Sequence, residues 1–478
     1  MSQAGIAEII VFEERSADSR IAGFLNTSIF AALVGLVVLT AIPYGTIEPW
    51  WKAAFVCVVF ALGICAIVEG LVNRSGSTVR LSVLFPLLAL TAFALFQTLS
   101  LGPRTRNAGN IYQSQWLSIS ADPYQTRFFA LQFLALTLVL AMLYRFAGSE
   151  RRVRILIHVI IGVALFSALF GILRQATQHN AGFVLPLMKP GQGYGQFINK
   201  NHFAFLMEMA LGLGLGLVFG GGVKRERIMI YVALLLPIWT GLVLSNSRGG
   251  ILAMLAQLVV AVLLFTNMDS NTQGAIPRFR FFNLVRSFGL RIALLIVLII
   301  GILYGTFWMG GDRLVSNFEA VRSEWNPAST GSHQGVTRNE IWRATWRMFE
   351  AHPIFGVGFG GYWIAITAYH DASGTLTPQE AHNDYLELLA SGGVVGFALG
   401  VWFAMAVYRL TRENLKSASR FGRAASLGAT LGIAGVAVHS LVDFGLHMMV
   451  NALVFIILVM IATARTGSER PQMLRVNG

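Results

Sequence analysis

Three groups of polar residues interrupt an otherwise apolar chain, and each has a definite chemical reading. His382 stands in Glu380-Ala381-His382-Asn383-Asp384-Tyr385-Leu386-Glu387, where a polar loop gives way to an apolar run. A neutral imidazole beside carboxylates can take a proton from a hydroxyl, which makes His382 a candidate general base. Arg248 stands in Ser247-Arg248-Gly249-Gly250, at the mouth of two apolar runs. The glycines admit another backbone or a ligand closely, and a guanidinium can grip phosphate with two donors at once. Arg343 and Arg347 lie four apart in a helix expected over about 338–351, between a Thr337/Glu340 capping box and the stop His352-Pro353. Ile341, Trp342, Thr345, Trp346 and Phe349 are expected on one side of it and the two arginines on the other, as in a helix lying on a membrane surface. The plainer alternative is that Arg343 and Arg347 pair with Glu340 and Glu350.

Two further runs carry weaker signals. Gly356-Val357-Gly358-Phe359-Gly360-Gly361 resembles a phosphate-cradling loop only superficially, because no Lys-Ser/Thr follows and no strand precedes it. It reads as a flexible or closely packed turn. His439, Asp443 and His447 are spaced four apart, so a metal site is conceivable if the helix runs unbroken. Gly445 argues against that, and a polar cluster tying two helices together is the expected outcome.

The elements that must position these residues are membrane spans. Hydrophobic residues make up 55% of the 478 and charged residues only 12%, with a mean hydropathy of +0.63, far from a water-soluble composition. Apolar runs near 26–43, 50–71, 81–100, 128–144, 155–173, 202–220, 228–245, 250–266, 290–309, 388–408, 425–441 and 446–464 are each long enough to cross a bilayer. The expected fold is therefore all-α: one polytopic membrane domain over 1–478, about 12 transmembrane helices, with one large loop over 310–387. Glu8, Glu13, Glu14 and Asp18 precede the first run with no basic leader, so the first helix is expected to be kept.

Counting along these runs puts 23 of the 36 basic residues on the face that holds both termini, including Arg145, Arg151, Arg152 and Arg154. That face is expected to be cytoplasmic, and 310–387 to lie outside. The net charge of +13 is spread between apolar runs rather than gathered on one polar face, which excludes a nucleic-acid-binding module. Cys57 and Cys65 share one run about 12 Å apart on a helix, too far for a disulfide.

The chain resembles the O-antigen ligase and polymerase superfamily of bacterial envelope glycosyltransferases. The resemblance is carried by Asn199-Lys200-Asn201-His202 opening a span, by Ser247-Arg248-Gly249-Gly250, and by the large outer loop. The loop ends in His382-Asn383, followed after nine residues by Gly393-Val394-Val395-Gly396, a spacing associated with the ligases. The resemblance implies a GT-C-like helical fold in the bacterial inner membrane, an undecaprenyl-diphosphate-linked glycan as donor, and no nucleotide sugar, metal or other cofactor. It implies that His382 deprotonates the acceptor hydroxyl, which attacks the anomeric carbon with inversion. Arg248, with Arg338, Arg343 or Arg347, would bind the diphosphate, with Asn199, Asn201 and Asn383 supporting the site. The acceptor would be a growing glycan in a polymerase of exopolysaccharide or O-antigen, or lipid A core in a ligase; membrane lipids and other polysaccharide assembly proteins are the remaining expected partners. The spaced glycines favour a ligase and the His439–His447 tail a polymerase, and the expectation here is polymerase. A solute transporter is the alternative from another class, with Glu69 and Glu208 as its intramembrane charges.

Overall fold

The structure is a computed structural model and describes residues 3–42, 48–73, 80–100, 118–177, 193–268, 338–370, 378–417 and 419–464. Its helices are α1 (Gln3–Ala41), α2 (Pro49–Asn73), α3 (Leu81–Phe96), α4 (Pro123–Phe146), α5 (Glu150–Thr177), α6 (Lys200–Phe219), α7 (Ile228–Leu244), α8 (Arg248–Met268), α9 (Arg338–Ala351), α10 (Asp384–Asn414), α11 (Arg420–His439) and α12 (Met449–Thr463). The described residues contain no β-strand. Eight of the helices are long and apolar enough to cross a membrane, and α3, α12 and the Arg248–Leu264 part of α8 are shorter apolar helices. Eleven of the expected spans thus coincide with a helix, and the span at 290–309 and the cap at Thr337 lie outside the described residues. The chain is a multi-pass membrane protein.

Polar side chains start the helices that carry the site. Asp122 accepts from Gln125 N–H at 3.0 Å ahead of Pro123, Asn199 caps α6 by accepting from Asn201 N–H, and Asn383 caps α10 by accepting from Tyr385 and Leu386 N–H. In the bundle, α6 and α11 approach closely because glycines face one another. A Cβ on Gly216 would fall 2.1 Å from the Gly428 Cα, and one on Gly212 would fall 2.8 Å from that of Gly432. With no hydrophobic drive between helices in lipid, such backbone proximity supplies the packing.

The two ends of the bundle differ in character. One is basic: Glu69 on α2 accepts from Arg145 Nε at 2.8 Å, the Arg154 guanidinium sits 4.0 Å from the Phe421 ring centroid, and Arg152 donates to the Phe146 carbonyl at 2.6 Å. The other gathers the end of α3, the starts of α4, α6, α8, α10 and α12, the end of α11 and the segments 338–370 and 378–383. At that end Ala121 N–H donates to Val357 O, Asp384 N–H to Ser440 O, and Asn451 Nδ2 to His202 O. Every residue expected to do chemistry lies there.

Helix α10 is broken. Gly393 takes φ 61° and ψ −165°, and a Cβ on it would sit 2.3 Å from the Ile354 carbonyl oxygen, so only glycine fits. The break frees the Ala390 and Ser391 carbonyls, which accept from Val357 and Gly358 N–H at 3.0 Å each, while Val394 N–H donates to Pro353 O at 2.8 Å. Buried Gln97 at the end of α3 completes the joint: its Nε2 donates to Phe355 O and Ser391 O, and its Oε1 accepts from Phe359 N–H. The glycine-rich turn is thus a packed plug in a broken helix, as its sequence suggests.

Helix α9 buries Ile341, Ala344, Thr345 and Met348, and Trp342 Nε1 donates to Ala381 O at 2.9 Å. Trp346 departs from expectation: it is exposed together with Arg343 and Arg347, and it donates to Glu350. The buried stripe runs through Ala344 and Met348, which turns position 346 outward.

Candidate functional site

The site is built around Asp443, which lies in the turn after α11 and is fully buried. Helix α11 ends at His439, and the turn is fixed by Val442 N–H and Asp443 N–H donating to the His439 carbonyl. Asp443 Oδ1 accepts from Phe444 N–H at 2.9 Å, and Oδ2 accepts from Asn201 Nδ2 on α6. Three cationic or potentially cationic groups surround the carboxylate: His382 Nδ1 at 3.4 Å, Arg338 Nη2 at 3.7 Å and His202 Nε2 at 3.9 Å. Burial alone would push the Asp443 carboxyl up, but the rings of His382 and His202 and the Arg338 guanidinium hold it well below the usual carboxylate range. It is an anion in a pocket of donors.

His382 is held in an uncommon backbone conformation, φ 51°. A non-glycine residue there costs about 1 kcal/mol or more and persists only when its neighbours fix it. They do: Ala381 N–H donates to Glu387 Oε2 at 2.9 Å, the Ala381 carbonyl takes the Trp342 indole, and Asn383 caps α10. The one other non-glycine residue with positive φ among the described residues is Asn246, two positions before Arg248. Strain thus sits beside both residues expected to do the chemistry. With Nδ1 turned to Asp443 and buried, Nε2 is the nitrogen left for a substrate, and the side chain is 31% exposed.

A second cluster lies beside the first, across the Phe444 ring. Phe444 meets His382 and His202 edge to face at 4.7 and 4.8 Å, and His447 at 5.6 Å. His447 Nδ1 is 3.3 Å from Glu380, and its Nε2 is 3.7 Å from both Asp384 and Glu387; Ser440 Oγ donates to Asp384 at 2.7 Å. Burial would lower the His447 ring, but Glu380, Glu387 and Asp384 push it up to about 10; Glu380, despite burial, is drawn down to about 2 by His447, with Lys52 contributing.

Glu380, Glu387 and His447 offer donor atoms within 4.8 Å of one another, the one grouping among the described residues that could hold a metal ion. Both nitrogens of His447 face carboxylates, an arrangement that serves a protonated ring in an ion cluster or, with the ring deprotonated, one ligand of a metal site. The geometry is that of one imidazole ring bracketed by three carboxyl groups.

The cluster predicts a pH dependence. A group whose value is raised on folding stabilises fully below its ordinary value, here 6.5, and that stabilisation is lost as pH rises towards about 10. Glu380, lowered on folding, contributes above 4.5 and loses its contribution as pH falls towards about 2. The melting temperature of the purified protein should therefore peak between these two ordinary values and decline on the alkaline side. His447→Gln should flatten the alkaline decline; an unchanged slope in that variant would remove His447 as its cause.

The structure brings together Asn201, Arg338 and His382 around Asp443. Asn199 and Asn383 serve as helix caps beside the cluster. Arg248 begins α8 next to the same turn, since a Cβ on neighbouring Gly249 would lie 3.0 Å from Val442 Cγ2. Arg343 and Arg347 are on the exposed side of α9, away from the face that carries Arg338. Sequence reasoning passed over Asp443 as an anchor, and with it His202 and Glu380. The tail His439, Asp443 and His447 does not share one face: His439 turns inward to Glu208, Asp443 to His382, and His447 to the carboxylates.

Residues 230–401 match a family model described as O-antigen ligase, which supports the O-antigen ligase and polymerase superfamily. The match runs from α7 into α10 and includes Arg248, Arg338 and His382. No curated protein matches the chain.

Proposed function

We propose that this multi-pass membrane protein, through its O-antigen ligase domain, is an inverting glycosyltransferase whose donor is a glycan on undecaprenyl diphosphate. The family implies a ligase- or polymerase-type glycosyltransferase acting on a lipid-linked glycan. The finer reading is that the chain polymerises exopolysaccharide or O-antigen repeat units at the outer face of the bacterial inner membrane, with both termini cytoplasmic. The observation that carries it is His382 against the buried Asp443, with Arg338 on the same carboxylate.

The chemistry follows from that arrangement. Asp443 takes Nδ1 of His382 and leaves Nε2 to accept the proton of an acceptor hydroxyl. The hydroxyl oxygen then bonds to the anomeric carbon from the side opposite the diphosphate. The bond from that carbon to the diphosphate oxygen breaks, and its electron pair leaves on the lipid diphosphate. Arg248 and Arg338 bind that diphosphate and oppose the charge that grows on it, so no metal or nucleotide is needed. Arg343 and Arg347, on the exposed side of α9, are turned away from that pair and are given no part in holding the diphosphate.

A ligase transferring to lipid A core is the second reading, favoured by the spacing from His382-Asn383 to Gly393 and Gly396. A transporter is the alternative from another class; its two intramembrane carboxylates are paired, Glu69 with Arg145 and Glu208 with His439. Loss of the gene separates the first two. A missing polymerase leaves single repeat units on the carrier or its acceptor, whereas a missing ligase leaves full-length glycan on the carrier. Carrier-linked and acceptor-linked glycans identical to those of the parent would contradict both.

A further inference from the structure

Glu208 and His439 are both completely buried, on α6 and α11; the His439 carbonyl accepts from Asp443 N–H, but its side chain and that of Glu208 face away from the reacting groups described above. An ionisable pair inside a membrane bundle is expensive and calls for a role. His439 Nδ1 is 2.9 Å from Glu208 Oε2, and its ring stacks on Phe205 with centroids 3.9 Å apart and planes 15° from parallel. The ring is therefore held on one edge and one face. Its opposite edge meets the start of α8: a Cβ on Gly249 would lie 2.2 Å from Cδ2 and 2.3 Å from Nε2 of His439.

We propose that His439, held by Glu208, is a positioning residue that sets Arg248 by seating the first turn of α8. The proposal rests on the donor-binding role of Arg248 given above. Gly249 follows Arg248 directly, so the ring fixes the backbone that carries the guanidinium. The seat has other walls. A Cβ on Gly250 would fall 2.8 Å from Ala204 Cβ, and Ser247 Oγ accepts from Gly250 N–H at 3.1 Å. Asn246, at φ 54°, turns the chain into this notch.

Both glycines of Ser247-Arg248-Gly249-Gly250 are thereby explained by close approach of protein: His439 on one side and Ala204 on the other. Removing the imidazole opens a space into which the helix start can shift, and a displacement of about 1 Å at a binding group can cost up to roughly 100-fold. Glu208 holds the ring in place, much as an outer hydrogen-bond partner orients a ligand.

The test uses the full chain in detergent and undecaprenyl diphosphate as the probe, with affinity and melting temperature measured for each variant. Arg248→Ala should weaken binding at least about tenfold, and His439→Ala by about tenfold, as expected for losing or displacing a charge-assisted contact. The double variant should bind no more weakly than Arg248→Ala alone, because His439 acts through the arginine. His439→Gln, which can still donate to Glu208, should restore much of the affinity. Gly249→Ala, which pushes on the ring from the other side, should mimic His439→Ala, and it stands in for that variant should the protein lacking His439 fail to fold.

Losses that multiply in the double variant would overturn the proposal, as would parental affinity in both His439→Ala and Gly249→Ala while Arg248→Ala is impaired. Parental affinity in Arg248→Ala would instead overturn the donor-binding role of Arg248 and this inference with it.

Discussion

Replacing His382 with alanine is expected to lower glycan transfer by at least about 100-fold, a typical contribution of a positioned general base. Donor binding should be nearly unchanged, because in the proposed mechanism the diphosphate is held by arginines and not by the imidazole. The loss should fall on kcat. Asp443→Asn should reproduce much of it, since an amide in place of the carboxylate neither fixes the His382 ring nor favours the imidazolium that forms as the proton is taken. Asp443 also accepts from Asn201 and faces Arg338 and His202, so its variant should be less stable as well. A folded His382→Ala protein that transfers at the parental rate would remove the base from the mechanism.

The second large effect is expected at Arg248. Lysine keeps the charge but loses the planar fork, so Arg248→Lys should cost about 10- to 100-fold in kcat/KM, the worth of a hydrogen bond to a charged group, at normal membrane abundance. If the arginine binds the diphosphate equally in the ground and transition states, the loss appears in KM for the donor. If it responds to the charge that builds on the leaving oxygen, kcat falls too. Unchanged kinetics in Arg248→Lys would return the residue to a structural role in seating α8.

Much of this was readable from the chain because membrane spans advertise themselves. Polar residues at the end of an apolar run, such as His382 and Arg248, stand out against their surroundings, whereas the capping by Asn199 and Asn383 emerges only from the structure. What could not be read was pairing across the bundle. Nothing local to Asp443 says that it meets His382 and Arg338, because that contact depends on how the starts of α9 and α10 sit against the end of α11.

The fourfold spacing of His439, Asp443 and His447 gives no shared face, as Gly445 leads one to expect. It would align three side chains only on a continuous helix, and α11 stops at His439. Gly393 shows the reverse. The sequence reads as a single apolar span there, but the glycine breaks the helix so that the Gly356–Gly361 turn can dock. On α9, Ile341 and Thr345 are buried as expected, but the stripe continues through the smaller Ala344 and Met348 and leaves Trp346 outside.

The most direct test of the outer-face glycosyltransferase is transfer by the purified chain in detergent, supplied with glycan on undecaprenyl diphosphate and an acceptor glycan, with chelator present and no nucleotide sugar. The account predicts that the acceptor is extended and that one lipid diphosphate is released for each bond formed, in the parent and not in His382→Ala. Absence of transfer until a divalent cation is added, or transfer only from a nucleotide sugar, would contradict it.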